Sequence, residues 1–454
     1  MNKEQVLQEV HELEGLCYDI AQTIWDAPEV GGSEQKSADV FRALLEKEGF
    51  RIVNEEKLPH AFYAEYGEGK PVVAVLGEYD ALPGLSQTVS AEPNPIQDGG
   101  AGHACGHNLI GAGSATAAIA IKRYLEKSKI QGTVRFYGCP EEELLSGKVK
   151  MAYYGMFDGA DIALSWHPMS ANMTMDRSYL ASASARFYFK GTTSHAGFAP
   201  ERGRSALDAV ELMNVGVNYL REHVIDHTRM HYSTDSGGYA PNIVPGHASS
   251  WYFVRAPRMD SVQDTLRRIK LVAEGAAMMT ETSVRTKLDS GCYEMKENNR
   301  FSDLTFRNLL LAPPPEYTEE EMAFAKALQA TQPEEMRIKD EKTYETDQPL
   351  FTGIAPRELW EKSVINASSD SGDVSYIMPM NLFTTTCWPI GVAPHTWQAT
   401  ASTGSSIGKK GAHYAAKVLA LCAYDLFNEP ETLQAIQKEF AERNEVAYKT
   451  MYEA

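Results

Sequence analysis

Four short clusters carry residues that can hold a metal or move a proton. Gly102-His103-Ala104-Cys105-Gly106-His107-Asn108 puts a thiol and two imidazoles into one Gly-flanked loop ahead of a helical pattern. A Cys and a His at spacing two can reach one ion or two adjacent ions from an irregular loop, and the glycines remove Cβ atoms that would block close approach. The same residues would also suit a polar turn with a buried thiol and a helix-capping Asn108. Pro140-Glu141-Glu142-Glu143 is an acidic run, costly if buried unless something positive balances it, though such runs are also common as solvated loops. Trp166-His167-Pro168 and Pro394-His395-Thr396-Trp397 each add one histidine, a residue that alone more often serves a core or a cap.

These clusters share a position relative to the elements that must hold them. Apolar runs from Val72 to Leu76, Val134 to Tyr137, Ile162 to Trp166 and Leu382 to Thr386 read as buried strands. Helical patterns at Ser33–Glu48, Leu109–Leu125 and Lys410–Phe427 alternate with them, as in an α/β protein whose central, mostly parallel sheet lies between helices. Cys105, His107, Glu142, Glu143, His167 and His395 then all lie just beyond strand ends of one sheet, where crevices open, and convergence there is the economical explanation.

The middle of the chain has another rhythm. Ser184–Lys190 and Ser249–Val254 alternate as half-buried strands, Ser205–His223 and Ser261–Gly275 read as helices, Ser283–Leu288 as a strand, and a further strand is expected near Asn242–His247. The order is βαββαβ, a ferredoxin-like α+β unit. The expected division is residues 1–179 and 293–454 for the α/β domain and 180–292 for the inserted one. Ala312–Leu350, Pro-rich and charged around one short helical pattern, reads as an excursion over the surface.

Composition narrows the function. The chain of 454 residues has 43 Lys and Arg against 61 Asp and Glu, a net charge of −18, which repels phosphate backbones and anionic lipid and makes nucleic acid an unlikely partner. Leu109–Ile121 is too short and too Gly- and Ser-broken to span a bilayer. The six scattered cysteines and a charged N-terminal stretch without a signal-peptide core lead to the expectation of a cytoplasmic protein.

The motifs GEYDALPG, GHACGHN, PEEE, WHP, TTSHAG, PNIVP and PHTW occur in the order used by metallopeptidase family 20, the aminoacylase and carboxypeptidase-G type amidohydrolases, and the resemblance spans nearly the whole chain. Longer stretches, among them GHACGHNLIGAGSATAAIA, GTVRFYGCPEEE and EGAAMMTET, resemble the Cys-containing branch and its members that act on p-aminobenzoyl-glutamate. The resemblance implies a di-metal peptidase domain with an inserted dimerisation, or lid, domain. It implies two divalent ions per chain held by Cys105, His107, Glu143, His167 and His395, with Cys105 bridging, Glu142 as general acid/base, and Mn²⁺ favoured over Zn²⁺. It implies that His195 reaches a neighbouring chain's site, and that the chain works as a homodimer or beside a related A-type subunit. Two departures stand out: Glu78 replaces a metal-binding His of many relatives, and Leu144-Leu145 replace small residues.

Amide hydrolysis itself asks for a strong nucleophile, a polarised carbonyl and a proton for the departing nitrogen. Two cations about 3.5–4 Å apart supply the first two, and an uncoordinated glutamate beside a ligand supplies the third. Asp80 is suited to fix a ligand imidazole or, equally, to cap a turn before Pro83. Asn242 and Arg204 could hold a substrate carboxylate, while Arg204 could instead serve only the start of the Ser205 helix. The expected activity is hydrolysis of an amide joining an acyl or aroyl group to an amino acid. A dipeptidase or general N-acyl-amino-acid hydrolase, and an inert partner chain, are the competing readings.

Overall fold

A strand covered on both faces has no use for polar alternation, and Val72–Glu78 is buried at every position. It lies in a five-stranded sheet in the order Arg51–Asn54, Phe62–Glu68, Gly132–Cys139, Val72–Glu78, Ile162–Leu164. Val72–Glu78 runs parallel to both its neighbours, whereas Phe62–Glu68 runs antiparallel to the strands beside it. The sheet is therefore mixed. The computed structural model describes residues 2–359, 363–443 and 447–452.

The chain folds as two units, the first comprising Met1–Ser178, Lys296–Ser363 and Val374–Tyr448, and the second Tyr179–Met295, Val364–Asp373 and the residues from Lys449. In the first unit the apolar run at 162–166 breaks after Leu164, and Trp166–Met169 joins Phe383–Thr386 in parallel within a separate three-stranded sheet. The helix His107–Ser128 is buried on nearly every side, as an all-round apolar helix must be. Its small residues permit close packing: a Cβ on Gly113 would stand 2.8 Å from the carbonyl oxygen of Ala412 in the helix Ser406–Asn428. No helix among the described residues is long and apolar enough to cross a membrane.

The second unit is a four-stranded antiparallel sheet in the order Arg229–Ser236, His247–Ala256, Ala181–Lys190, Ser283–Cys292. The helices Ala206–Leu220 and Met259–Met279 cover one face, burying Ala183, Ala185, Phe187, Tyr252 and Val254. The expected strand at Asn242–His247 is a turn and loop, and the second strand of the βαββαβ order is Arg229–Ser236. Pro241, Pro245 and Gly246 interrupt any ladder at the expected place, while the actual strand is a largely exposed edge with no apolar alternation. The Ala312–Leu350 segment holds two helices rather than one, Glu319–Gln329 and Glu334–Thr343.

An ion pair between a half-buried arginine and a buried aspartate ties the returning chain into the first unit. Arg357 donates from Nε and Nη2 to the two carboxylate oxygens of Asp176, each at 2.9 Å. Burial pushes the Asp176 carboxyl up, but the bonds from Arg357, Thr174 and Ser302 outweigh it and hold it below the ordinary 3.8. Its stabilising contribution is present above that value and is lost as pH falls through the folded one. Arg357→Met should therefore cost on the order of 3 kcal/mol at neutral pH. Urea denaturation should show that deficit shrinking below about pH 4, where protonated Asp176 needs no counter-charge.

Candidate metal centre

Gly106 makes the first cluster possible. Its φ of +79° belongs to the left-handed region, and a Cβ there would come within 2.6 Å of the Pro168 ring. The turn it allows leaves Cys105 in the loop and His107 at the first position of the helix, so both side chains meet His167 on the neighbouring strand. Cys105 Sγ lies 3.4 Å from His167 Nε2, and the His107 and His167 rings stand edge to face at 6.2 Å between centroids.

The acidic run follows the strand Gly132–Cys139 as a single tight turn, with Glu141 and Leu145 in left-handed conformations at φ 57° and 53° on either side. Such residues cost about 1–2 kcal/mol each and persist only where surrounding contacts fix them. Those contacts are present at Glu141. Its N–H donates to the buried Glu34 carboxylate at 2.8 Å, and its own carboxylate accepts from Ser146 and Lys150. Glu141 is thus spent on the loop, while Glu142 and Glu143 point at His107, their oxygens 3.8 and 3.9 Å from Nε2.

Asp80 orients two of these groups at once. His107 Nδ1–H donates to Asp80 Oδ1 at 2.7 Å, which leaves the Nε2 lone pair directed into the cluster, and the Glu143 N–H donates to Oδ2 at 2.9 Å. His395, also left-handed at φ 63°, donates its backbone N–H to the Ala104 carbonyl and sets Nε2 at 3.4 Å from Glu143. The ligand atoms form compact triads, Cys105–His107–His167 and Cys105–Glu143–His395, and the two share Cys105. All five expected ligands, with Glu142 and Asp80, lie together.

A third triad, Glu78–His107–Glu142, brings in a residue that stands out in the sequence only as a departure from relatives. Glu78 Oε2 is 3.6 Å from His107 Nε2, and its other oxygen pairs at 2.6 Å with the wholly buried ammonium of Lys148. Sequence reasoning missed Lys148, although an acid ending an otherwise apolar strand signals a need for a buried cation. His103 stays outside, with Nε2 at 3.1 Å from the Ile24 carbonyl, and burial lowers it to about 3, a neutral structural histidine.

Burial shifts several groups of the site, although at His107 it is outweighed by Asp80 and Cys105, which raise that imidazole. Burial raises Glu142 to about 8, with Glu78 adding to it, and Glu143 to about 7 against the pull of His107. It also pushes the Cys105 thiol up and draws His167 down to about 4. A cation among these groups relieves the shared cost. His107 Nε2 and Glu143 Oε1 are buried without a hydrogen-bond partner, and a bare lone pair beside a bare carboxylate oxygen fits a divalent ion. Asp80→Asn should weaken metal binding roughly 10- to 100-fold, because it loosens the His107 tautomer and ring orientation together. Chelator competition measures this, and unchanged affinity would remove Asp80 from that role.

The other expected site residues belong to the second unit. His195 is exposed and accepts through Nδ1 from the N–H groups of Gly197 and Phe198 at 3.2 and 3.1 Å, so its Nε2 is free to donate. The Asn242 carbonyl accepts from the Ala196 N–H, and the backbone of Arg204 pairs with Thr192, which gathers all three into one loop cluster. The Arg204 guanidinium bonds Glu281 and the carbonyls of Gly203 and Glu201.

Residues 181–278 match the peptidase dimerisation domain family. The chain is 42% identical over 438 residues, 93% of its length and 91% of the relative's, to the B-type subunit of p-aminobenzoyl-glutamate hydrolase from Escherichia coli K12. In fold it resembles an aminobenzoyl-glutamate utilization protein from Klebsiella pneumoniae, with a TM-score of 0.63, 16% identity and coverage of 92% and 98% of the two chains. It likewise resembles a dinuclear metal-binding M20 peptidase from Bacillus subtilis, with a TM-score of 0.59, 17% identity and coverage of 92% and 99%. With 42% identity to one hydrolase along nearly its full length and this fold around triads that could hold a metal ion, the chain belongs to the M20 metallopeptidase family and is an amidohydrolase acting on carbon–nitrogen amide bonds.

Proposed function

We propose that this chain hydrolyses p-aminobenzoyl-glutamate to p-aminobenzoate and glutamate in the cytoplasm, using two divalent ions held by Cys105, His107, Glu143, His167 and His395. The observation that carries the reading is the pair of ligand triads joined at Cys105; the substrate follows from the 42% identical relative. Mn²⁺ is the proposed ion by the resemblance of the sequence motifs to the family, although Cys and His donors also suit Zn²⁺. When bound, the ions supply Lewis acidity to the amide carbonyl and acidify the attacking water.

The chain's own residues do the rest. Glu142 takes the proton of the attacking water on its carboxylate and hands it to the departing nitrogen, turning a poor amide leaving group into a neutral amine. Its elevated proton affinity suits the second half of that task. Asp80 keeps the His107 tautomer fixed. His195 donates from Nε2 to the oxyanion of a neighbouring chain's substrate. The Asn242 amide and Arg204 receive the substrate carboxylate, Arg204 by exchanging Glu281, an exposed partner of small energetic worth.

A second chain is part of this reading, either another copy or an A-type subunit. The strand Arg229–Ser236 closes one edge of its sheet, and Leu212, Val215 and Tyr219 form an exposed apolar stripe on the helix Ala206–Leu220. Mixing an inactive Glu142→Gln chain with an inactive His195→Ala chain should restore activity in the mixed dimer. Persistent inactivity with chain exchange verified would remove His195 from the shared site. Substrate choice is tested by incubating metal-reconstituted protein, with and without an A-type partner, with p-aminobenzoyl-glutamate, acyl-amino acids and dipeptides. Release of glutamate from the first is the expected result, and turnover of the others alone would overturn the assignment.

A further inference from the structure

The charged segment Ala312–Leu350 follows the helix Asn299–Leu311, and no step of the proposed reaction uses it. Its helices nevertheless end against the loop that carries His395. Gln329, the last residue of the first helix, donates its side-chain N–H to the Ile390 carbonyl at 3.3 Å, in buried surroundings. The Ile390 N–H donates to the Pro349 carbonyl at 2.9 Å, so both backbone groups of Ile390 are satisfied by this one segment. Asp340 on the second helix accepts from the Gly391 N–H at 3.2 Å. On the other side of His395, Gln398 donates to the hydroxyl of Thr331 between the two helices at 2.9 Å.

Gly391 shows how closely the pieces fit. Its φ is +85°, and a Cβ on it would stand 3.1 Å from the Cα of Arg337 in the second helix. The loop therefore lies directly on helix backbone and leaves no slack. His395 needs that support because its own left-handed φ of 63° is unfavourable for a residue with a Cβ.

We propose that the Ala312–Leu350 segment is a positioning element for His395, bracketing its loop through Ile390, Gly391 and Gln398 and so fixing the geometry of the Cys105–Glu143–His395 triad. The inference rests on the metal-centre reading above. Its role is separate from the segment's attachment elsewhere, where Lys410 bonds Glu321 at 2.6 Å and the Glu316 carbonyl at 2.8 Å.

The test uses the full chain and titrates Mn²⁺ and Zn²⁺ by calorimetry and chelator competition. Three variants are compared with wild type: Gln329→Ala combined with Asp340→Ala, His395→Ala as a benchmark, and Glu321→Gln as a control at the segment's other attachment, where Glu321 bonds Lys410 and caps its own helix at the Thr318 N–H. The double variant should bind about tenfold more weakly the same one of two ions that His395→Ala weakens. The other ion should be untouched, as should both ions in Glu321→Gln. Equal affinities in the folded double variant and the wild type would overturn the proposal, as would Glu321→Gln weakening the ions to the same degree. Should the double variant fail to fold, Thr331→Val, which removes the hydroxyl that accepts from Gln398 and donates to the Leu328 carbonyl, is read by the same criterion. Wild-type protein that binds no pair of ions would bring down the metal-centre reading and this inference together; two ions in the wild type with an indifferent variant would bring down the inference alone.

Discussion

Glu142→Gln should keep both ions and lose at least a hundredfold, and up to about ten-thousandfold, in kcat, the range that a positioned general acid/base contributes. The amide preserves the size of the side chain in a turn that has no room to rearrange, between the left-handed Glu141 and Leu145. It cannot shuttle a proton. No neighbouring carboxylate can take over, because Glu141 is held by Ser146 and Lys150, Glu78 pairs with Lys148, and Glu143 and His395 face each other at 3.4 Å. KM should change little, since the loss falls on the transition state. Metal analysis alongside steady-state kinetics checks both halves, and turnover near that of the wild type would remove Glu142 from the chemistry.

Replacing Cys105 should have the widest effect on the metals. Two ligand triads meet at its sulfur, so Cys105→Ala is expected to weaken both ions, whereas His167→Ala and His395→Ala should each act mainly on one. Activity should be abolished in all three. Burial pushes the Cys105 thiol up, and a thiol must lose its proton to ligate, so metal binding should release protons and tighten as pH rises. Proton release measured in two buffers of different ionisation enthalpy gives the sign directly. The fold should survive metal removal, because the extensive buried cluster from Val6 to Ile436 is built of apolar side chains without the ligands Glu143, His167 and His395.

Much of this site could be read from the sequence because several of its residues follow apolar runs. Glu142 and Glu143 follow the strand Gly132–Cys139, whereas His167 lies within Trp166–Met169, a strand of a second sheet, so strand detection suggested the convergence and the family resemblance supplied the ligand set. What escaped detection had lost its pattern. Arg229–Ser236 is an exposed edge strand with one buried residue, so no period of two appears in its hydrophobicity. Glu334–Thr343 buries nothing and has no amphipathic face to find. Lys148, one residue into the short helix Gly147–Tyr153, looks like a solvent-facing lysine until the fold sets it against Glu78. Long-range pairing of this kind leaves no local trace, and the same holds for the reach of Gln329 and Asp340 to the His395 loop.

Anomalous diffraction from crystals of the Mn²⁺-loaded protein tests the account at its centre. Two peaks are expected, each within coordination distance of Cys105 Sγ, one also near His107 and His167 and the other near Glu143 and His395. A single peak, or peaks away from Cys105, would contradict the shared-sulfur centre on which the mechanism is built.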